Sequence, residues 1–167
     1  MTRIRDDGRP GEYFTWSEMQ TTSTGLENVA PRSARHNLRR LCHVVLDPLR
    51  RIVGPVRVNS GYRSLAVNTA VGGSRTSVHM RGLAADIVAL SSAWTAERVA
   101  TLLAQSPREL VPFDQVILYS SGFVHVGLVE GTPRRQLLYS SGGRYAAWTP
   151  PEDEDLSHLW TDAVVVQ

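Results

Sequence analysis

Apolar residues recur at three- and four-residue spacings through Leu38, Leu41, Cys42, Val45, Leu49, Ile52 and Val53, predicting a long amphipathic helix that opens after Pro31 and closes at Gly54-Pro55. Pro48 lies inside that pattern. It lacks an amide donor and crowds the preceding turn, so a bend is expected near Val44. Shorter helices are predicted after Thr15 or Ser17, over residues 64–71 with Gly72-Gly73 closing the end, and over residues 95–106. Alternating or continuous β-branched runs predict strands at residues 56–59, 83–89, 113–119 and 123–129, the last two joined by a tight turn at Ser120-Ser121-Gly122. Residues 134–139 would add a third strand to that meander. The pattern as a whole predicts an α+β domain, a small antiparallel sheet flanked by helices.

Composition adds limits rather than direction. A chain of 167 residues suits one domain and buries roughly two thirds of its unfolded surface without disulfide support. Its 42% hydrophobic and 20% charged content is that of an ordinary globular protein, and no apolar run has the length of a membrane span. The polar first eleven residues lack the apolar centre of a secretory signal, so cytoplasmic synthesis is expected. The single Cys42 excludes an internal disulfide and, within its apolar surroundings, reads as a small core residue. All 18 basic residues are arginine. Arg32, Arg35, Arg39, Arg40, Arg50 and Arg51 cluster on the long helix, which reads as a solvated face, and nucleic-acid binding is not expected. His36 and His43 on that helix have no carboxylate partner at matching spacing and are read as surface or packing residues.

Chemistry concentrates between residues 58 and 88. His79 is followed seven residues later by Asp86, and that carboxylate sits in the apolar run Ala84-Ala85-Asp86-Ile87-Val88. Burying an ionised group there is costly unless it is paired or bound to a cation. Imidazole nitrogen and carboxylate oxygen are both zinc ligands, and a third would leave the open position a hydrolytic site needs. His125, in Phe123-Val124-His125-Val126, is the candidate for that third ligand.

These strings resemble a known family. Ser60-Gly61-Tyr62-Arg63-Ser64, Asn68, Val71-Gly72-Gly73, the set Ser77, His79, Gly82, Ala84, Ala85 and Asp86, and then Phe123-Val124-His125-Val126 are similar to the zinc peptidases that cut D-Ala-D-Ala or L-Ala-D-Glu bonds in bacterial cell-wall peptides. The likeness runs from about Tyr13 to Tyr145 and implies a hedgehog-like metallopeptidase fold. It also implies Zn2+ held by His79, Asp86 and His125, Arg63 receiving a substrate carboxylate, and Ser77 as a nearby polar contact. A guanidinium fork matches a carboxylate bidentately, which suits the role of Arg63.

One departure bears on turnover. The family carries a carboxylate shortly before the last zinc histidine, where this chain has Gly122 and Tyr119. If Tyr119 pairs with Phe123, Ile117 lies opposite His125, Asp114 points away, and Tyr119 shares the His125 face. A phenol is a weak base at neutral pH, with a reference pKa near ~10, so the general base stays unassigned. Glu130 lies too far along its strand.

The expected organisation is a polar arm at residues 1–12, a peptidase-like domain at 13–145, and an extension at 146–167. The extension is an acidic linker followed by Leu156, Leu159, Trp160, Val164 and Val165, which would pack back on the domain or dock on another subunit or a virion; His158 there is not read as a ligand. The expected function is a peptidoglycan peptidase of carboxypeptidase or endopeptidase type, reaching the wall after lysis or in a phage particle. The alternative is a non-catalytic zinc-fold protein such as a phage tail component.

Overall fold

The computed structural model describes residues 8–164; the first seven residues of the polar arm, and Val165 in the tail, lie outside the described residues. Six strands form one sheet in the order β1-β2-β4-β3-β5-β6, comprising Val56–Ser60 (β1), Ala84–Ala89 (β2), Gln115–Tyr119 (β3), Phe123–Gly127 (β4), Gln136–Ser141 (β5) and Arg144–Ala147 (β6). Helices Trp16–Met19 (α1), Arg32–Leu41 (α2), Asp47–Val53 (α3), Leu65–Ala70 (α4), Ala96–Ala104 (α5) and Leu159–Val164 (α6) complete the α+β fold.

Strand alternation divides the sheet into an oily face and a chemical one. Val58, Ala85, Ile87, Val116, Leu118, Val124 and Val126 join Leu38, Leu41, Leu46, Leu49, Leu102 and Leu103 in one core. Asp86, Ile117 and His125 point the other way. That division follows from register, because Asp86 and Ile117 are the two cross-strand partners of His125. Tyr119 pairs with Phe123, the hairpin register in which Ile117 lies opposite His125 and Tyr119 shares its face.

The expected third meander strand takes a different place. β5 does not follow β4 in the sheet; it runs parallel to β3, with Gln115 opposite Gln136 and Ile117 opposite Leu138. Because β4 is already paired on both sides, by β2 and β3, the strand has to join an edge of the sheet, and it takes the outer edge of β3. Residues 128–135 therefore cross to that edge, and β6 then closes an antiparallel hairpin on β5.

The long helix changes its winding just ahead of Pro48. α2 passes into a π-helical turn over Cys42–Leu46, and α3 resumes at Asp47 with Pro48 in its first turn. Widening the turn accommodates a residue that cannot donate to the ladder. α1 is closed by a capping box in which the Thr15 hydroxyl accepts from the Glu18 amide while Glu18 accepts from the Thr15 amide. Trp94 is half-buried against the core, with the Arg98 guanidinium over its ring.

Of the two fates open to the tail, packing back is the one observed. Leu156 and Trp160 are buried in the core, α6 rests on α3, and the Trp160 indole donates to Leu102 O at 2.8 Å. No helix among the described residues is long and apolar enough to cross a membrane.

Candidate metal centre

His79 comes from a single 3-10 turn, Val78–Arg81. Two glycines fix that turn. Gly82 ends it at φ +70, and a Cβ there would stand 2.4 Å from Ala34 O of α2, so only glycine fits both the left-handed backbone and the close approach. Gly61 lies so close to α1 that a Cβ would be 2.4 Å from Met19 O, and its carbonyl accepts from His79 Nδ1 at 2.7 Å. That bond sets the tautomer and leaves the Nε2 lone pair free to ligate.

Asp86 and His125 arrive on adjacent strands in direct register. Asp86 Oδ1 lies 2.9 Å from His125 Nδ1 and 3.2 Å from His79 Nε2, and the two imidazole nitrogens are 3.2 Å apart. All three side chains are buried, and theirs is the metal-competent cluster found among the described residues. His36, His43 and His158 are exposed and stand apart from it. Tetrahedral zinc with bonds of ~2.0–2.2 Å sets neighbouring donors ~3.3–3.6 Å apart, so the trio fits to within a few tenths of an ångström. Two nitrogens and one carboxylate oxygen are also the right donor types, and all three residues line an open cleft.

The electrostatics favour the ligating protonation states. Burial pushes the Asp86 carboxyl up, but hydrogen bonds with His125 and His79 outweigh it and hold the group well below the usual carboxylate range. Burial holds the His125 imidazole below the ordinary histidine value, against the pull of Asp86. The carboxylate is therefore charged and the His125 imidazole neutral near pH 7.

Arg63 reaches the same site. Its Nη2 donates to Asp86 Oδ2 at 2.7 Å and its Nε to Ser60 Oγ at 2.8 Å. Ser60 is there because β1 carries a bulge between Val58 and Ser60, which sets Ser60 rather than Asn59 opposite Asp86. The bulge has no signature in Val-Arg-Val-Asn-Ser, and sequence reasoning missed Ser60 for that reason.

The trio and Arg63 line an open cleft of about 520 Å³, together with Gly72, Gly73, Ser74, Thr76 and Ser77 from one segment and Gln115, Tyr119, Arg134 and Tyr145 from the β3–β6 region. Tyr119 stacks on Phe123 and its hydroxyl lies 3.3 Å from that of Tyr145. Burial, and then the Tyr145 contact, push the Tyr119 phenol well above its usual range, so it stays protonated. Among the described residues, Asp86 is the one carboxylate lining the cleft. Asp114 is engaged by Arg134, and Glu130 pairs with Arg81 at 2.5 Å. Arg134 and Tyr145 went unrecognised as cleft residues because their positions depend on β5 and β6 crossing to the edge of β3.

Comparison with known proteins agrees with this geometry. A curated zinc D-Ala-D-Ala carboxypeptidase from Streptomyces albus G is 33% identical over 154 residues, covering 89% of this chain and 53% of that protein. The chain thus spans about half the length of that relative. The family model described as Peptidase M15 matches residues 12–127, the stretch that carries His79, Asp86, His125 and Arg63, and the chain belongs to that family.

Proposed function

We propose that the chain is a zinc-dependent peptidase acting on peptidoglycan peptides, of the D-Ala-D-Ala carboxypeptidase or endopeptidase type. The observation that carries this reading is the convergence of His79 Nε2, Asp86 Oδ1 and His125 Nδ1 at the floor of an open cleft. Those atoms would hold the ion. The chemistry such an ion supplies is Lewis acidity toward a peptide carbonyl and toward water.

The chain's own residues do the rest. Gly61 O orients His79, and Arg63 anchors the second oxygen of Asp86 so that the first faces the imidazoles. Nη1 of Arg63, without a hydrogen bond among the described residues, receives a terminal substrate carboxylate, a charge-assisted contact suited to a guanidinium. Ser77 offers a polar contact at the cleft wall. Tyr119, protonated, donates a hydrogen bond to a carbonyl oxygen instead of accepting a proton from water.

A second reading is favoured by one observation, the lack of another carboxylate in the cleft beside Asp86. In that reading the fold binds zinc and wall peptides without efficient turnover. Incubating zinc-loaded protein with a D-Ala-D-Ala-terminated pentapeptide and following product by mass spectrometry separates the two. Release of D-alanine supports the peptidase; one zinc per chain with no cleavage supports the binding protein; absence of bound zinc removes both.

A further inference from the structure

The cleft has a second guanidinium at the Gln115 end. Arg134 is gripped by Asp114, with its Nε 3.0 and 3.1 Å from the two carboxylate oxygens, its Nη2 2.5 Å from Oδ2, and its amide 2.8 Å from Oδ1. The Asp114 side chain is 8% exposed while that of Arg134 is 60% exposed. A buried carboxylate is thus spent on holding an exposed cation in place, and Nη1 has no protein partner among the described residues.

The backbone around it is also built for that placement. Arg135 is the one described non-glycine residue with positive φ, at 56°, a conformation a side chain adopts only when its surroundings impose it. What imposes it is visible. The Arg135 guanidinium donates to the carbonyls of Ala104, Ser106 and Val111 and lies 4.0 Å over the Phe113 ring. Gln136 N then bonds Asp114 O at 2.8 Å. The chain is pinned on both sides of Arg134.

Register gives the distance scale. Ile117 faces His125, and Gln115 lies two residues further along β3, ~7 Å away at strand rise, with the Asp114–Arg134 pair just beyond. Arg63 lies on the β1 side of the site, bonded to Ser60 opposite Asp86, whereas Arg134 immediately precedes β5, beyond β3 in the sheet order. Two cations therefore bracket the metal-competent trio.

We propose that Arg134 is a specificity residue that receives a free carboxylate about two residues from the scissile bond, on the side away from Arg63. This rests on the peptidase reading and narrows it to acidic peptides. A chain with an acidic side chain just before D-Ala-D-Ala would engage both guanidiniums, its C-terminal carboxylate on Arg63 and its side-chain carboxylate on Arg134. Amidation of that side chain removes the second contact.

The test uses acetyl-L-Glu-D-Ala-D-Ala and acetyl-L-Gln-D-Ala-D-Ala with the zinc-loaded full chain, measuring both equilibrium binding and KM against kcat. Wild type should bind the acidic peptide about tenfold more tightly, the weight of one exposed charge-assisted contact. R134Q, and the double variant D114N/R134Q that leaves no buried carboxylate unpaired, should lose that preference through KM, with kcat and the affinity for the Gln peptide little changed. Equal affinity of wild type for the two peptides overturns the proposal, as does equal loss of both in the variants or failure of the acidic peptide to bind. Cleavage of both at equal efficiency overturns the subsite and leaves the peptidase reading standing; preferential binding of the acidic peptide without cleavage does the reverse.

Discussion

Asp86 and His125 face each other across β2 and β4, carboxylate to imidazole at 2.9 Å, in two strands whose opposite face packs into the apolar core. Moving either strand by one residue would turn its ligand into the core, so register and metal site are a single property. The substitution that separates site from fold is D86N, which keeps shape and removes charge. It should leave the circular dichroism spectrum unchanged and abolish stoichiometric zinc by elemental analysis. In wild type, zinc at 100 times its dissociation constant should add about 2.7 kcal/mol of stability, and in D86N close to none.

Gly82 tests the positioning of His79. Replacing it with alanine puts a Cβ 2.4 Å from Ala34 O and forces positive φ on a residue that resists it. G82A should cost about 1–3 kcal/mol in urea denaturation and weaken zinc binding in the fraction that still folds. Unchanged stability would show that the 3-10 turn does not depend on that close approach.

Much of this arrangement is legible in the residues alone, and the reason is local. Asp86 within an apolar run, the His125 alternation, the Thr15 cap and the irregular turn ahead of Pro48 each announce themselves within a few positions. What is not legible is non-local. The parallel β3–β5 pairing follows from β4 already having two partners, a fact of topology that no stretch of residues 134–141 encodes. With β5 misplaced, Arg134 and Tyr145 could not be assigned to the cleft. The bulge that delivers Ser60 to Asp86 is likewise set by what packs around β1.

Two buried aspartates should respond to acid with opposite signs. Arg134 first, through its hydrogen bonds, holds the Asp114 carboxyl below the ordinary 3.8. Its stabilising effect is present above that value and lost as pH falls through the depressed folded pKa. With Arg134 exposed, the effect is about 1 kcal/mol. The stability gap between wild type and D114N should shrink below pH 3.8. Asp47 is the reverse case: burial raises its carboxyl above 3.8 despite hydrogen bonds from the Glu12 and Tyr13 amides. Wild type should therefore lose stability relative to D47N as pH rises from 3.8 through the raised folded pKa. Guanidinium titrations at several pH values on metal-free protein check both signs.

Trp160 tests whether the tail belongs to the cooperative unit. Its ring is fully buried and its indole N–H satisfies Leu102 O, a carbonyl on α5 whose helix packs beneath β3 and β4. Truncation to alanine removes a large aromatic from a closed core and should cost about 3–5 kcal/mol. W160F keeps most of the volume and loses the donor, so about 1–3 kcal/mol is expected from the carbonyl left unpaired. The cleft lies across the sheet from α6, so the folded fraction of either variant should bind zinc with wild-type stoichiometry. A W160A protein with wild-type stability would mean that α6 rests on the domain without supporting it, and that the folding unit ends near β6.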